Sequence, residues 1–201
     1  MPLNAIRLVS FDALHTIITP RLPIHVQYSQ VFAPYLGKLD PDALKSSFKV
    51  ALKAVQVERP AYIQGAQEWW HEVIRRTGLG AGVNEQTLES SLSRIVPALM
   101  ARFSSREGYK AFDDALPTIQ CLQNEFNIRT AVVSNGDSRI RLVLNDLGFP
   151  ASLNPIIVSE EEGCEKPSRE LFMRTLERVN TDIRPPIKPE EWLHVGDELV
   201  W

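Results

Sequence analysis

Four residues whose types suit covalent chemistry on an anion each follow a short apolar run: Asp12 after Ile6–Phe11, Ser134 after Thr130–Val133, Lys166 in the loop beyond Pro155–Val158, and Asp197 after Glu191–Val195. A carboxylate so placed can attack phosphorus or an activated carbon and form a covalent aspartyl intermediate. A hydroxyl such as Ser134, with nearby backbone N–H groups, can hold an anionic group in register. A lysine can neutralise charge shared by the nucleophile and the substrate anion. A second carboxylate, Asp197, can complete a Mg²⁺ site, because that ion takes a few carboxylates plus waters and substrate oxygens. Each residue also has a plain structural role. Strand-end Asp residues are caps, Ser134-Asn135-Gly136 is turn chemistry, and a lysine before proline is ordinarily solvated. Their order along the chain, one per strand end, carries the functional reading.

Alternating elements must position these groups. Helices are predicted over Ala115–Asn124, Arg139–Leu147 and Arg169–Val179, between the apolar runs, with Gly148 closing the second. Strands alternating with helices of about 10 residues predict a parallel α/β sheet with helices on both faces. The chemistry of such sheets gathers outside the carboxyl ends of the strands, where all four residues fall. From Pro20 to Gly108 the pattern changes. His25–Leu36, Pro41–Val57, Gln67–Thr77 and Asn84–Phe103 carry apolar residues at helical spacing, with Asp40-Pro41 as N-cap and first-turn pair. Gly78, Gly80 and Gly82 are expected to end the third of these helices. The segment reads as an all-helical insert, so a core of residues 1–19 and 109–201 is expected to carry a helical cap of residues 20–108.

Composition narrows the classes. A chain of 201 residues accommodates one compact core and a modest insert. Its net charge of −3, spread over scattered residues, leaves no electrostatic footprint for nucleic acid. No apolar run approaches the roughly 20 residues of a membrane helix. The strand pattern begins almost at Met1, which leaves no room for a targeting segment and predicts a cytoplasmic or nuclear location. Two cysteines, Cys121 and Cys164, form neither a disulfide framework nor a metal-ligand spacing. His25, His71 and His194 are dispersed. Trp69-Trp70 are candidates for a pocket lining, though helical spacing favours the core of the insert. Glu160–Glu162 reads as a solvated loop, and Arg139 and Arg141 as a solvated helix face.

Four segments together resemble the haloacid dehalogenase superfamily of phosphatases and dehalogenases. Val9-Ser10-Phe11-Asp12-Ala13-Leu14-His15-Thr16 resembles its first motif, D-x-D-x-T or, in dehalogenases, D-x-Y-G-T. Val132-Val133-Ser134-Asn135 resembles the second, Ser159–Pro167 the third, and His194-Val195-Gly196-Asp197 the start of the fourth. The resemblance implies a Rossmann-like core with Asp12 as nucleophile, Lys166 as its catalytic partner, and Ser134 and Asn135 on the substrate. It implies Mg²⁺ on Asp12, the Leu14 backbone carbonyl and Asp197 if the reaction is phosphate-ester hydrolysis, and no cofactor if it is dehalogenation. The substrate would be a small anion.

Two departures from the family pattern shape the expectation. Superfamily phosphatases carry a second Asp two residues past the nucleophile, which protonates the leaving oxygen and activates water; Leu14 stands there. General acid–base help is worth about 10²–10⁴-fold, so slow turnover is expected. His15, one position on, is a second candidate for that proton because its unperturbed pKa is near neutral, although packing at the mouth of the sheet is the plainer role. The dehalogenase branch also lacks this Asp and reads Ser-Asn-Gly, as Ser134-Asn135-Gly136 does, but it has an aromatic where Leu14 sits. The fourth motif ordinarily continues to a further carboxylate and a fifth strand. The sequence ends at Trp201, so the last strand of the usual core is expected to be missing, either because the chain is truncated or because a protein partner covers the open Trp192–Val195 edge. A non-catalytic relative that binds without turnover is the alternative reading.

Overall fold

The computed structural model describes residues 6–197. The chain divides into two compact units, one made of residues up to Thr19 with those from Lys110 onward, the other of Pro20–Tyr109.

The first unit is built on a parallel sheet of β1 (Leu8–Phe11), β4 (Arg129–Ser134), β5 (Leu153–Val158) and β6 (Trp192–Val195), in the order β5-β4-β1-β6. Parallel strands are apolar on both faces because helices cover both, and every residue of β1 is buried. On one face α8 (Arg169–Val179) packs Leu171, Leu176 and Val179 against Leu8, Ala131, Val133 and Ile157. On the other lies α5 (Ala115–Asn124), whose Gln123 donates to Thr130 Oγ1 at 2.5 Å. α6 (Arg139–Asp146) follows β4. The parallel sheet with helices on both sides matches the class expected from the sequence. Among the described residues β6 is an edge strand, pairing with β1 alone, and its Leu193 and Val195 are exposed.

One expectation fails here. The acidic run is not a solvated loop: Ser159–Glu162 forms the short helix α7. Glu162 is buried, with its carboxylate against Arg174 and Arg178. Glu160 accepts the Ser138 N–H at 2.8 Å, and Glu161 pairs with Arg141 at 2.8 Å. Fixed cationic partners let Glu162 leave water, while Glu161 stays exposed.

The second unit contains α1 (Ile24–Leu36), α2 (Pro41–Glu58), α3 (Ala66–Gly80) and α4 (Glu85–Arg102). Asp40 caps α2 through the Ala43 N–H at 2.7 Å, as Asp40-Pro41 predicts. Tyr28, Phe32, Leu44, Ile74, Leu88, Leu92, Ile95 and Leu99 make its core. Gly78 lies within α3, while Gly80 is its last residue and Gly82, at φ +88°, follows just beyond, so the helix ends where the second and third glycines stand. A Cβ on Gly78 would sit 2.9 Å from a Leu88 methyl and one on Gly80 2.2 Å from Ser47 Oγ, so glycine there allows α3 to approach its neighbours closely. Trp69 is core, packed with Ala51, Val55 and Val73 and donating its indole N–H to the Arg59 carbonyl at 2.9 Å.

Where the chain passes between the units, β2 (Ile18–Pro20) and β3 (Tyr109–Ala111) pair as a separate two-stranded sheet that sequence patterning misses because each strand has three residues. No helix among the described residues is long and apolar enough to cross a membrane.

Candidate active site

Asp12 follows β1 directly, and its backbone N–H donates to the Val195 carbonyl at 2.8 Å, extending the β1–β6 ladder by one bond. The carboxylate is held at both oxygens. Oδ1 accepts the Ala13 N–H at 2.7 Å, and Oδ2 meets Lys166 Nζ at 2.5 Å. The two side chains are only 16% and 13% exposed, so the pair is largely removed from water.

Lys166 reaches this point because its backbone is gripped by Asn135. The Lys166 N–H donates to Asn135 Oδ1 at 2.6 Å, and Asn135 Nδ2 donates to the Lys166 carbonyl at 3.0 Å. A two-point amide clamp fixes both position and orientation of the loop that carries the ammonium. Asn135 stands one residue past β4, so the sheet indirectly sets the Asp12–Lys166 distance. Ser134 is the buried last residue of β4. Asp197 is exposed, two residues past β6. The structure thus brings Asp12, Lys166 and Asn135 into contact and places Ser134 and Asp197 at the same end of the parallel sheet.

Leu14 is 37% exposed and His15 is exposed with φ +61°. The turn is closed by the Ile18 N–H to the Ala13 carbonyl at 3.0 Å and the His15 N–H to the Ile18 carbonyl at 2.7 Å. The Leu14 carbonyl takes part in neither bond. Thr16 Oγ1 is buried with no hydrogen-bond partner among the described residues. Asp12, the Leu14 carbonyl and Asp197 supply hard oxygen donors from adjoining strand ends, a set whose chemistry fits Mg²⁺ with its waters. Arg139 is committed to Asp137 in a bidentate pair at 2.8 and 2.6 Å, and Arg141 to the Ile156 carbonyl and Glu161.

Sequence reasoning passed over a second polar group behind Asp12. Ser10, wholly buried in β1, is hydrogen-bonded at 2.8 Å to both His194 Nδ1 and the Trp192 indole N–H. Burial, and next the Lys166 charge, push the His194 pKa down to about 4; Asp12 and hydrogen bonding to the Ser10 main chain oppose this more weakly. The available signal was a polar residue in each of two otherwise apolar strands.

The sheet order and the strand-end Asp–Lys pair define a hydrolase-type α/β core, and the chain belongs to the haloacid dehalogenase-like hydrolase family, whose model matches residues 6–200. Among its relatives is haloacid dehalogenase-like hydrolase domain-containing protein 3. The cattle and human forms are each 26% identical, over 96% and 97% of this chain and 74% and 75% of theirs. An uncharacterized hydrolase of Schizosaccharomyces pombe is 29% identical over 98% of this chain and 85% of its own. Among solved structures, the HAD-hydrolase YfnB of Bacillus subtilis bound to magnesium aligns with TM-score 0.66 and 21% identity, covering 96% of this chain and 80% of that one. A dehalogenase aligns with TM-score 0.66 and 16% identity, covering 96% and 77%. These likenesses bear on the fold.

Proposed function

We propose that the chain hydrolyses a small anionic substrate, a phosphate ester or haloacid, through a covalent intermediate on Asp12. The observation that carries this is the Asp12–Lys166 pair at 2.5 Å, shielded from water and set by the Asn135 clamp. An ammonium at that distance offsets the charge of an approaching anion. With an ester, an Asp12 oxygen bonds to phosphorus as the bond to the leaving oxygen breaks. The leaving alkoxide then takes its proton from solvent, because Leu14 has none to give. Water attacks phosphorus, the bond to Asp12 breaks, and inorganic phosphate leaves. With a haloacid, Asp12 displaces halide at carbon and water hydrolyses the resulting ester at its carbonyl.

Ser134 and Asn135 flank the anion. Mg²⁺, held by Asp12, the Leu14 carbonyl and Asp197, would supply electrostatic stabilisation of the transferring phosphoryl group. Leu14 also supports a second reading, a member of the family that binds an anion without turnover. Asp12→Asn decides between them. Under the first reading it abolishes release of phosphate from p-nitrophenyl phosphate or of halide from chloroacetate. A basal rate that is unchanged in Asp12→Asn, or absent in the parent chain despite anion binding, rejects it.

A further inference from the structure

The polar side chains between β1 and β6 are unused by the reaction above. Ser10 lies in register with His194 across that ladder. Its Oγ has two partners, the Trp192 indole N–H at 2.8 Å and His194 Nδ1 at 2.8 Å. An indole N–H can only donate, so it occupies an acceptor site on Oγ and leaves the hydroxyl proton to be placed. Nδ1, at 2.8 Å, is the hydrogen-bonded partner placed to take it. Nδ1 therefore accepts, and the neutral imidazole carries its proton on Nε2. Phe172 of α8 packs edge-on against both rings, with centroids 5.6 Å from Trp192 and 5.2 Å from His194, which restrains them. The depressed pKa, set mainly by burial and then Lys166, agrees with a neutral ring. Nε2 faces Gly196: a Cβ there would lie 3.7 Å from Nε2 and 3.7 Å from Asp12 Cβ. No hydrogen bond to Nε2 is formed among the described residues.

We propose that His194 is a further binding residue of this site, a neutral Nε2–H donor locked by Ser10 and Trp192 that takes an oxygen of the substrate's anionic group on the Gly196 side of Asp12. The inference rests on the reading of Asp12 and Lys166 as the reaction centre. A neutral donor suits that place, because it adds a directed hydrogen bond without a second positive charge to retain the product anion. The charged groups acting on the ring are Lys166 and Asp12.

The test uses the full chain with inorganic phosphate as probe. Long-range ¹H–¹⁵N spectra of histidine-labelled protein should show His194 as the Nε2–H tautomer, with that resonance moving on phosphate addition. Ser10→Ala should mix the tautomers. By calorimetry, His194→Phe, which keeps a ring against Phe172, should raise the phosphate Kd about tenfold, the usual scale for a hydrogen bond to a charged group. His194→Gln, which can place an amide N–H near the same point, should recover most of the affinity; His194→Asn, which keeps only the Ser10 contact, should not. A predominantly Nδ1–H ring in the parent chain overturns the inference and needs no variant to fold. Unchanged affinity in His194→Phe, with binding lost in Lys166→Met, overturns it while leaving the proposed reaction centre standing. Affinity unchanged in both variants overturns the reaction centre as well.

Discussion

Under the proposed reaction at Asp12, Leu14→Asp should raise turnover. The parent side chain is 37% exposed, so the position is wet enough to carry a carboxylate. Fully burying a Leu side chain is worth about 1.5–3 kcal/mol, and with roughly two-thirds of this one buried the substitution costs about 1–2 kcal/mol of stability. The new carboxyl stands two residues from Asp12, whose charge favours its protonated, acid-competent form, while Lys166 limits that effect. General acid–base assistance of about 10²–10⁴-fold corresponds to about 2.7–5.4 kcal/mol off the barrier. The gain should be largest for alkyl phosphates, whose leaving oxygen needs a proton, and smaller for p-nitrophenyl phosphate. The assay is steady-state kcat for both ester types with Mg²⁺, alongside thermal melts of parent and variant. A folded Leu14→Asp protein with an unchanged alkyl-phosphate rate, next to a parent that turns over briskly and in an Asp12-dependent way, would refute the reasoning. His15 would then be the next residue to replace.

Asn135→Ala removes both hydrogen bonds to the Lys166 backbone, each worth about 0.5–1 kcal/mol at this exposed position, so kcat/KM should fall about 5–30-fold with little change in melting temperature. Stability should also depend on pH through His194. Its pKa is about 4 when folded, against 6.5 without the fold, so between these values the unfolded chain binds the extra proton. Stability therefore falls as pH drops from about 6.5 towards 4 and this contribution levels off below. Discounted for a partly exposed ring, the loss is about 1–2 kcal/mol, readable in urea midpoints, and His194→Phe should remove it. Leu88→Ala, which empties a fully buried site against Gly78, should destabilise the helical unit by about 2–5 kcal/mol; a smaller loss in chemical denaturation would mean that α3 and α4 collapse onto the space.

The parts of the fold that sequence displays are those with a long period or a sharp punctuation. The boundaries of α5 and α8 coincide with the predicted ones, because each begins and ends where apolar spacing does. β2 and β3 are too short to show alternation. α7 is hidden by three glutamates, since its stability comes from Arg174, Arg178, Arg141 and the Ser138 N–H, which are distant in sequence. Gly78 misleads in the opposite way, and Gly80, which does end α3, is pressed equally close to a neighbour. Glycine reads as a helix end from local propensity, while here it answers to Leu88 and Ser47 on neighbouring helices. At the site, Asp12 and Lys166 are legible from type and place. The Asn135 clamp and the Ser10–His194–Trp192 relay are not, because a hydrogen bond between strand-end loops or across a ladder leaves no periodic trace.

That difference bears on how the site divides its work. A buried ion pair is a poor source of stability, because desolvating both charges offsets their attraction. The Asp12–Lys166 pair is better understood as charge held ready, with the Asn135 clamp and the Ala13 N–H fixing its geometry before any substrate arrives. Such preorganisation serves the step in which Asp12 attacks, since nucleophile and counter-charge are already aligned. It does little for the steps that move protons, which need a titratable group beyond the carboxylate. The apolar side chain at Leu14 has no proton to exchange, and the neutral His194 has its Nδ1 committed to Ser10. In the proposed reaction, anion capture and attack thus have identifiable groups, while proton transfer is left to solvent. On that argument the covalent Asp12 intermediate of a phosphate ester should form faster than it is hydrolysed and accumulate during turnover.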